Sequence, residues 1–119
     1  MTDHQLDRVR RFCLALPNTS EKLSHGAPTF WAGKRTFGSY WNNHHHDGHI
    51  ALLLPAETGE QERLIQSDPV TYYRPPYVGP AGWVGINLDQ IDDEELGVHI
   101  LEAYRLTMKK QSRTRGFQP

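Results

Sequence analysis

Cysteine is nearly absent: Cys13 stands alone in 119 residues. No intrachain disulfide is available, and a reducing compartment is the simplest reading. Long hydrophobic runs are missing as well. Residues 1–16 lack the uninterrupted apolar stretch of a signal peptide, and no segment approaches a membrane span. A cytoplasmic location with no membrane partner is therefore expected. Neither sign of charge is in excess, since 13 Lys and Arg face 14 Asp and Glu for a net charge of −1. That excludes nucleic-acid binding driven by bulk charge. Phosphate-loop spacing is missing too, because no Lys-Ser/Thr follows Gly79 and Gly82. No nucleophile, base and acid form a visible set, so the expectation is a non-enzymatic binding protein without a cofactor.

What is present suffices for one small domain. The hydrophobic fraction is 37%, with aromatics at 10%, enough for a modest core. Charge is unevenly placed. Residues 51–104 carry two basic and ten acidic side chains, whereas residues 105–119 carry five basic and none acidic. A single domain over residues 1–112 and a basic, frayed tail over 113–119 are expected.

Leu6, Val9, Phe12, Cys13 and Leu16 share one face at helical spacing. Thr2 and Gln5 have capping-box spacing, and Pro17-Asn18 stops the helix. The polar stretch 19–28 reads as a loop. Aromatic and β-favouring residues predict strands over 29–33 and 36–41, joined by a Gly33-Lys34 turn. The apolar run 50–54 predicts a central strand. A weakly amphipathic helix over 57–67, anchored by Leu64 and Ile65, ends at Asp68-Pro69. Two further strands, 70–74 and 83–88, flank a stiff connector with three prolines and two glycines. The last helix is the clearest element. Asp92 and Glu95 have capping spacing, Leu96, Ile100, Ala103, Tyr104 and Thr107 form its buried stripe, and Lys109 and Lys110 sit where the helix dipole favours cations. The order α-β-β-β-α-β-β-α predicts an α+β two-layer sandwich, an antiparallel five-stranded sheet with helices on one face.

Several segments in this order carry a resemblance. They are Ala15-Leu16-Pro17, His25-Gly26-Ala27-Pro28-Thr29-Phe30, Gly33-Lys34 with Phe37, Pro76-Tyr77-Val78-Gly79-Pro80, Gly82-Trp83-Val84 and Ala103-Tyr104-Arg105-Leu106. The chain resembles the MmcQ/YjbR family over about residues 5–110. The resemblance implies a frataxin-like (CyaY-like) fold with a "double-wing" DNA-binding shape, and it carries over no catalytic residues.

Three groups of candidate site residues follow. For nucleic acid they are Lys34 and Arg35 at a hairpin tip, Arg74, and Lys109, Lys110 and Arg113 in the tail, with solvated turns and a dipole-matched helix end as the plainer alternative. For a small ligand they are His25, Tyr77 and Trp83 around the connector 76–83, where rings can stack on a flat molecule. The plainer account makes His25 a loop-fixing residue and the rings a cover for the sheet end. For a metal ion they are His44, His46 and His49, because neutral imidazoles suit Zn²⁺, Ni²⁺ or Cu²⁺. A solvated, His-rich hairpin loop is the alternative there.

Overall fold

A computed structural model describes residues 3–43 and 48–116. Helix α1 spans His4–Cys13, and strands β1 (Thr19–Ser24), β2 (Ala27–Ala32), β3 (Arg35–Asn42) and β4 (Ile50–Leu54) follow. Helix α2 (Glu60–Ser67), the short strand β5 (Tyr72–Tyr73), strand β6 (Val84–Asn87) and helix α3 (Asp93–Gly116) complete the chain. The strands form one sheet in the order β1-β2-β3-β4-β6-β5, with every pairing antiparallel.

The α+β class and the antiparallel sheet are as expected, but the sheet has six strands rather than five. The added strand is β1, from the stretch read as a loop. Its sequence, TSEKLS, has Thr19 as its one β-favouring residue, and Ser20, Lys22 and Leu23 are exposed. Pairing with β2 makes it a strand. His25 and Gly26 both have positive φ (52° and 80°), so they close the hairpin as a two-residue turn of the primed type. Arg10 then clamps β1 to α1 through a two-pronged bond to the Glu21 carboxylate at 2.7 and 2.8 Å.

Other boundaries shift for local reasons. α1 is capped by Asp3, whose carboxylate accepts from the Leu6 amide at 3.1 Å; Thr2, read as the start of a capping box, lies outside the described residues. α2 starts at Glu60 instead of residue 57, after Gly59 turns the chain at φ 85°. In α3 the anticipated cap forms, the Asp92 carboxylate accepting from the Glu95 amide at 2.8 Å. Its helical backbone runs through Gly116.

The core lies between the helices and one face of the sheet. Leu6, Val9 and Cys13 of α1, Leu64 of α2, and Leu96, Ile100 and Ala103 of α3 pack with Phe30, Phe37, Leu52, Leu54, Val84 and Ile86. Burial pushes the Cys13 thiol up to about 12, so it acts as a small inert hydrophobe. A register shift after Phe30 places Phe37 and Gly38 both on the core side. Thr36 and Ser39, three apart, then share the opposite face, which strict alternation would forbid.

Two carboxylates at the α1 end set a pH dependence. Burial raises the Asp3 pKa, but bonds from the Leu6 amide and the Tyr40 hydroxyl outweigh it, so the carboxyl stays below its ordinary 3.8. The Arg8 guanidinium, with Arg11, holds Asp93 low as well. Groups more acidic folded than unfolded stabilise fully above their unfolded values, and that contribution is lost as pH falls through the depressed ones. The melting temperature should therefore fall below about pH 4. Asp3→Asn should flatten the acid limb while lowering the neutral-pH value, read by melting across pH 2–6 (roughly the carboxylate range).

Candidate functional site

The face of the sheet away from the helices is built from the residues that alternate with the core. One cross-strand row reads Lys22, Thr29, Ser39, Leu53, Gly85 and Tyr73 across β1 to β5. The neighbouring row includes Ala27 of β2, and Trp41, Ala51 and Asn87 on β3, β4 and β6. All three tryptophans lie on this side: Trp31 and Trp41 alternate with core residues on their strands, and Trp83 precedes buried Val84. Lys22 sits over the Trp31 ring at 4.5 Å, and Tyr73 lies flat against His49 with ring centroids 3.9 Å apart.

The connector after β5 folds back over this face and encloses a cleft of about 530 Å³. Ser24, His25, Ala27, Thr29, Thr36, Ser39, Trp41 and Leu53 contribute from the sheet side, and Tyr77, Val78 and Trp83 from the connector. The volume falls within the roughly 300–1,000 Å³ typical of ligand pockets. Leu53 is fully buried yet belongs to this cleft and not to the helix-side core. Among the described residues, the lining holds no Asp, Glu, Lys or Arg.

Buried Gln61 of α2 fixes the connector. Its Nε2 donates to the Gly79 carbonyl at 2.9 Å and to the Trp83 carbonyl at 2.5 Å. Gly79 also lets the Arg74 side chain lie close, since a Cβ there would meet Arg74 Cγ at 2.8 Å.

Backbone strain concentrates at this cleft. His25 and Tyr77 take positive φ of 52° and 65°, and Tyr77 remains 79% exposed. Holding a bulky residue there costs on the order of 1–2 kcal/mol, and such strain often marks a functional position. Tyr77→Gly should therefore raise stability by about 1 kcal/mol while weakening any molecule bound in the cleft. Urea unfolding and binding, measured on the same variant, check both halves.

The candidate residues separate accordingly. His25, Tyr77 and Trp83, far apart in the chain, meet in the one cleft. Tyr72 does not join them, because it faces the helix side, where its hydroxyl meets His99 Nε2 at 2.7 Å. Lys34 and Arg35 are exposed at the β2–β3 tip. Gln111 ties that tip to α3, its Oε1 accepting from the Lys34 amide at 3.2 Å and its Nε2 donating to the Ala32 carbonyl at 2.6 Å. Lys109 and Lys110 thus lie at the same end of the molecule, beside Glu57. Arg74 lies across the sheet at its β5 edge, so the basic candidates do not all share one surface. The Arg113 side chain lies outside the described ones, as do His44 and His46. His49 is turned to the sheet, with Nδ1 2.6 Å from Asn87 Oδ1. Among the described residues, no cluster of three or more His, Cys, Asp or Glu is arranged to hold a metal ion.

Sequence reasoning missed Ser39, Thr29, Trp41 and Gln61. Trp41 was legible as a β-favouring ring, but its face depended on the register shift in the β2–β3 pairing.

The YjbR family model matches residues 14–106. The chain belongs to the YjbR family. The matched region of this YjbR domain includes every cleft residue, from Ser24 to Trp83. The crystal structure of Deinococcus radiodurans protein DR2400, with a DUF419 domain, is similar with a TM-score of 0.74. Identity is 24%, covering 89% of this chain and 80% of that one, a likeness of fold. No curated protein matches the chain. No helix among the described residues is long and apolar enough to cross a membrane.

Proposed function

We propose that this YjbR domain is a binding module whose working surface is the cleft on the helix-free face, and that its ligand is a small, largely apolar organic molecule. The observation that carries this reading is the convergence of His25, Tyr77 and Trp83 on one cavity of about 530 Å³ with no Asp, Glu, Lys or Arg in its described lining. Apolar walls with a few hydroxyl groups suit capture and orientation, and the cleft holds no nucleophile paired with a base. Titration with small aromatic compounds, followed by tryptophan fluorescence, tests the reading. Saturable quenching is expected, reduced by Trp83→Ala. A folded protein showing no response to any of them would defeat it.

A second reading has its own observation. Gln111 holds the Lys34-Arg35 tip beside the end of α3, giving a local basic edge suited to phosphates although net charge is near neutral. Fluorescence anisotropy with duplex and single-stranded DNA should then show affinity falling as salt rises. Removing both Lys34 and Arg35 should reduce the logarithmic salt slope by about two. An affinity indifferent to salt would exclude phosphate contacts at this edge.

A further inference from the structure

The hydrogen-bond polarity of the cleft floor narrows the ligand class; this inference rests on the small-ligand reading above. Thr29 and Ser39 face each other across β2 and β3. The Thr29 hydroxyl donates its proton to the Ala27 carbonyl at 3.0 Å, so its remaining capacity toward the cleft is as an acceptor. Ser39 differs. Its Oγ accepts from Trp41 Nε1 at 2.9 Å, which leaves it a proton to donate and one further lone pair. A hydroxyl has one donor and two lone pairs, so with the Thr29 proton already spent, Ser39 is the donor of the pair. Directly opposite residues place these groups within reach of one ligand edge.

The complement of a donor beside an acceptor is an acceptor beside a donor. In a flat molecule that pattern is the C=O and N–H of a cis-amide within a ring. Trp41, Tyr77 and Trp83 bring aromatic rings to the lining of the same cleft, and Leu53 continues the floor apolar on β4. A planar ring packs against aromatic side chains at little entropic cost. A cationic group would meet no carboxylate in the described lining, and an anionic one no Lys or Arg.

From these observations we infer that the cleft takes an uncharged, planar heteroaromatic ring carrying a cyclic amide edge, as a free ring and not as a nucleotide. The amide oxygen accepts from Ser39 and the amide N–H donates to Thr29. Loss of either bond strands a polar group of the ligand in an apolar cleft.

The test uses the full chain with isoquinolin-1-one as the amide-edged probe and naphthalene as its edge-free counterpart, followed by tryptophan fluorescence. Ser39→Ala and Thr29→Val should each weaken isoquinolin-1-one by about tenfold and leave naphthalene unchanged. Ser39→Thr and Thr29→Ser, which keep the hydroxyl, should restore binding. If both probes bind equally, or the variants weaken both alike, the amide-edge assignment is overturned while the apolar cleft stands. If neither probe binds the folded wild-type chain, the cleft reading itself fails and the inference with it. Tighter binding of inosine 5′-monophosphate than of hypoxanthine would also overturn it, because the ligand would then be a nucleotide and not a free ring.

Discussion

Replacing Gln61 with leucine should cost about 2–4 kcal/mol of stability, larger than expected for a surface-type residue on a short helix. The side chain is only 3% exposed, and its amide is the donor for the carbonyls of both Gly79 and Trp83. Leucine preserves the volume but supplies no hydrogen, so the Trp83 carbonyl loses this donor and the Gly79 carbonyl keeps only its bond from the Gly82 amide at 2.9 Å. A buried acceptor left unsatisfied costs roughly 1–3 kcal/mol, and the lost second bond about 1 kcal/mol more. The second consequence concerns the cleft, because Gln61 joins α2 to the connector that walls it. The same variant should also lose the fluorescence response to a bound ring. Urea unfolding gives the first number and probe titration the second. A loss under about 1 kcal/mol with unchanged binding would mean that Pro75, Pro76 and Pro80 hold the connector unaided.

Gly85→Ala should be nearly as damaging, at about 2–3 kcal/mol. A Cβ at this position would lie 2.4 Å from Tyr73 Cε1 and 2.5 Å from its Cζ. The ring has little freedom to give way. It is stacked on His49 at an interplanar angle of 6°, and His49 is in turn held to Asn87. The substitution must move β5 away from β6 or expel the ring, and either breaks the stack. His49 proton shifts, displaced in the native protein by the Tyr73 ring current, should relax toward free-histidine values. Retention of those shifts with full stability would show that β5 can slide to absorb the methyl group.

Both predictions concern residues whose role was at most half legible in the sequence. A glycine inside a strand pattern signals close approach of another group, but nothing local says that the group is Tyr73. Gln61 gave no signal, because a glutamine on a charged helix reads as solvated. It is buried only because carbonyls from the connector come to meet it. The same limit applied to β1, where a segment with five polar residues out of six forms a strand because β2 supplies the partner. The His25-Gly26 pair was a legible clue to that hairpin, since a primed turn needs positive φ at both central positions. The surrounding polarity pointed to a loop instead.

The sequence by itself determined those features that nearby residues enforce. They include the capped start of α3 and its buried stripe, the Gly33-Lys34 turn, the apolar strand β4, the inert Cys13 and family membership carried by ordered local motifs. Their causes act within a few residues, through capping bonds, backbone preference and periodicity. Only the tertiary structure decided the sixth strand, the face on which Ser39 and Trp41 lie, and the meeting of His25 with Tyr77 and Trp83. Each depends on pairing between distant segments, and a one-residue change of register would turn those side chains to the opposite face.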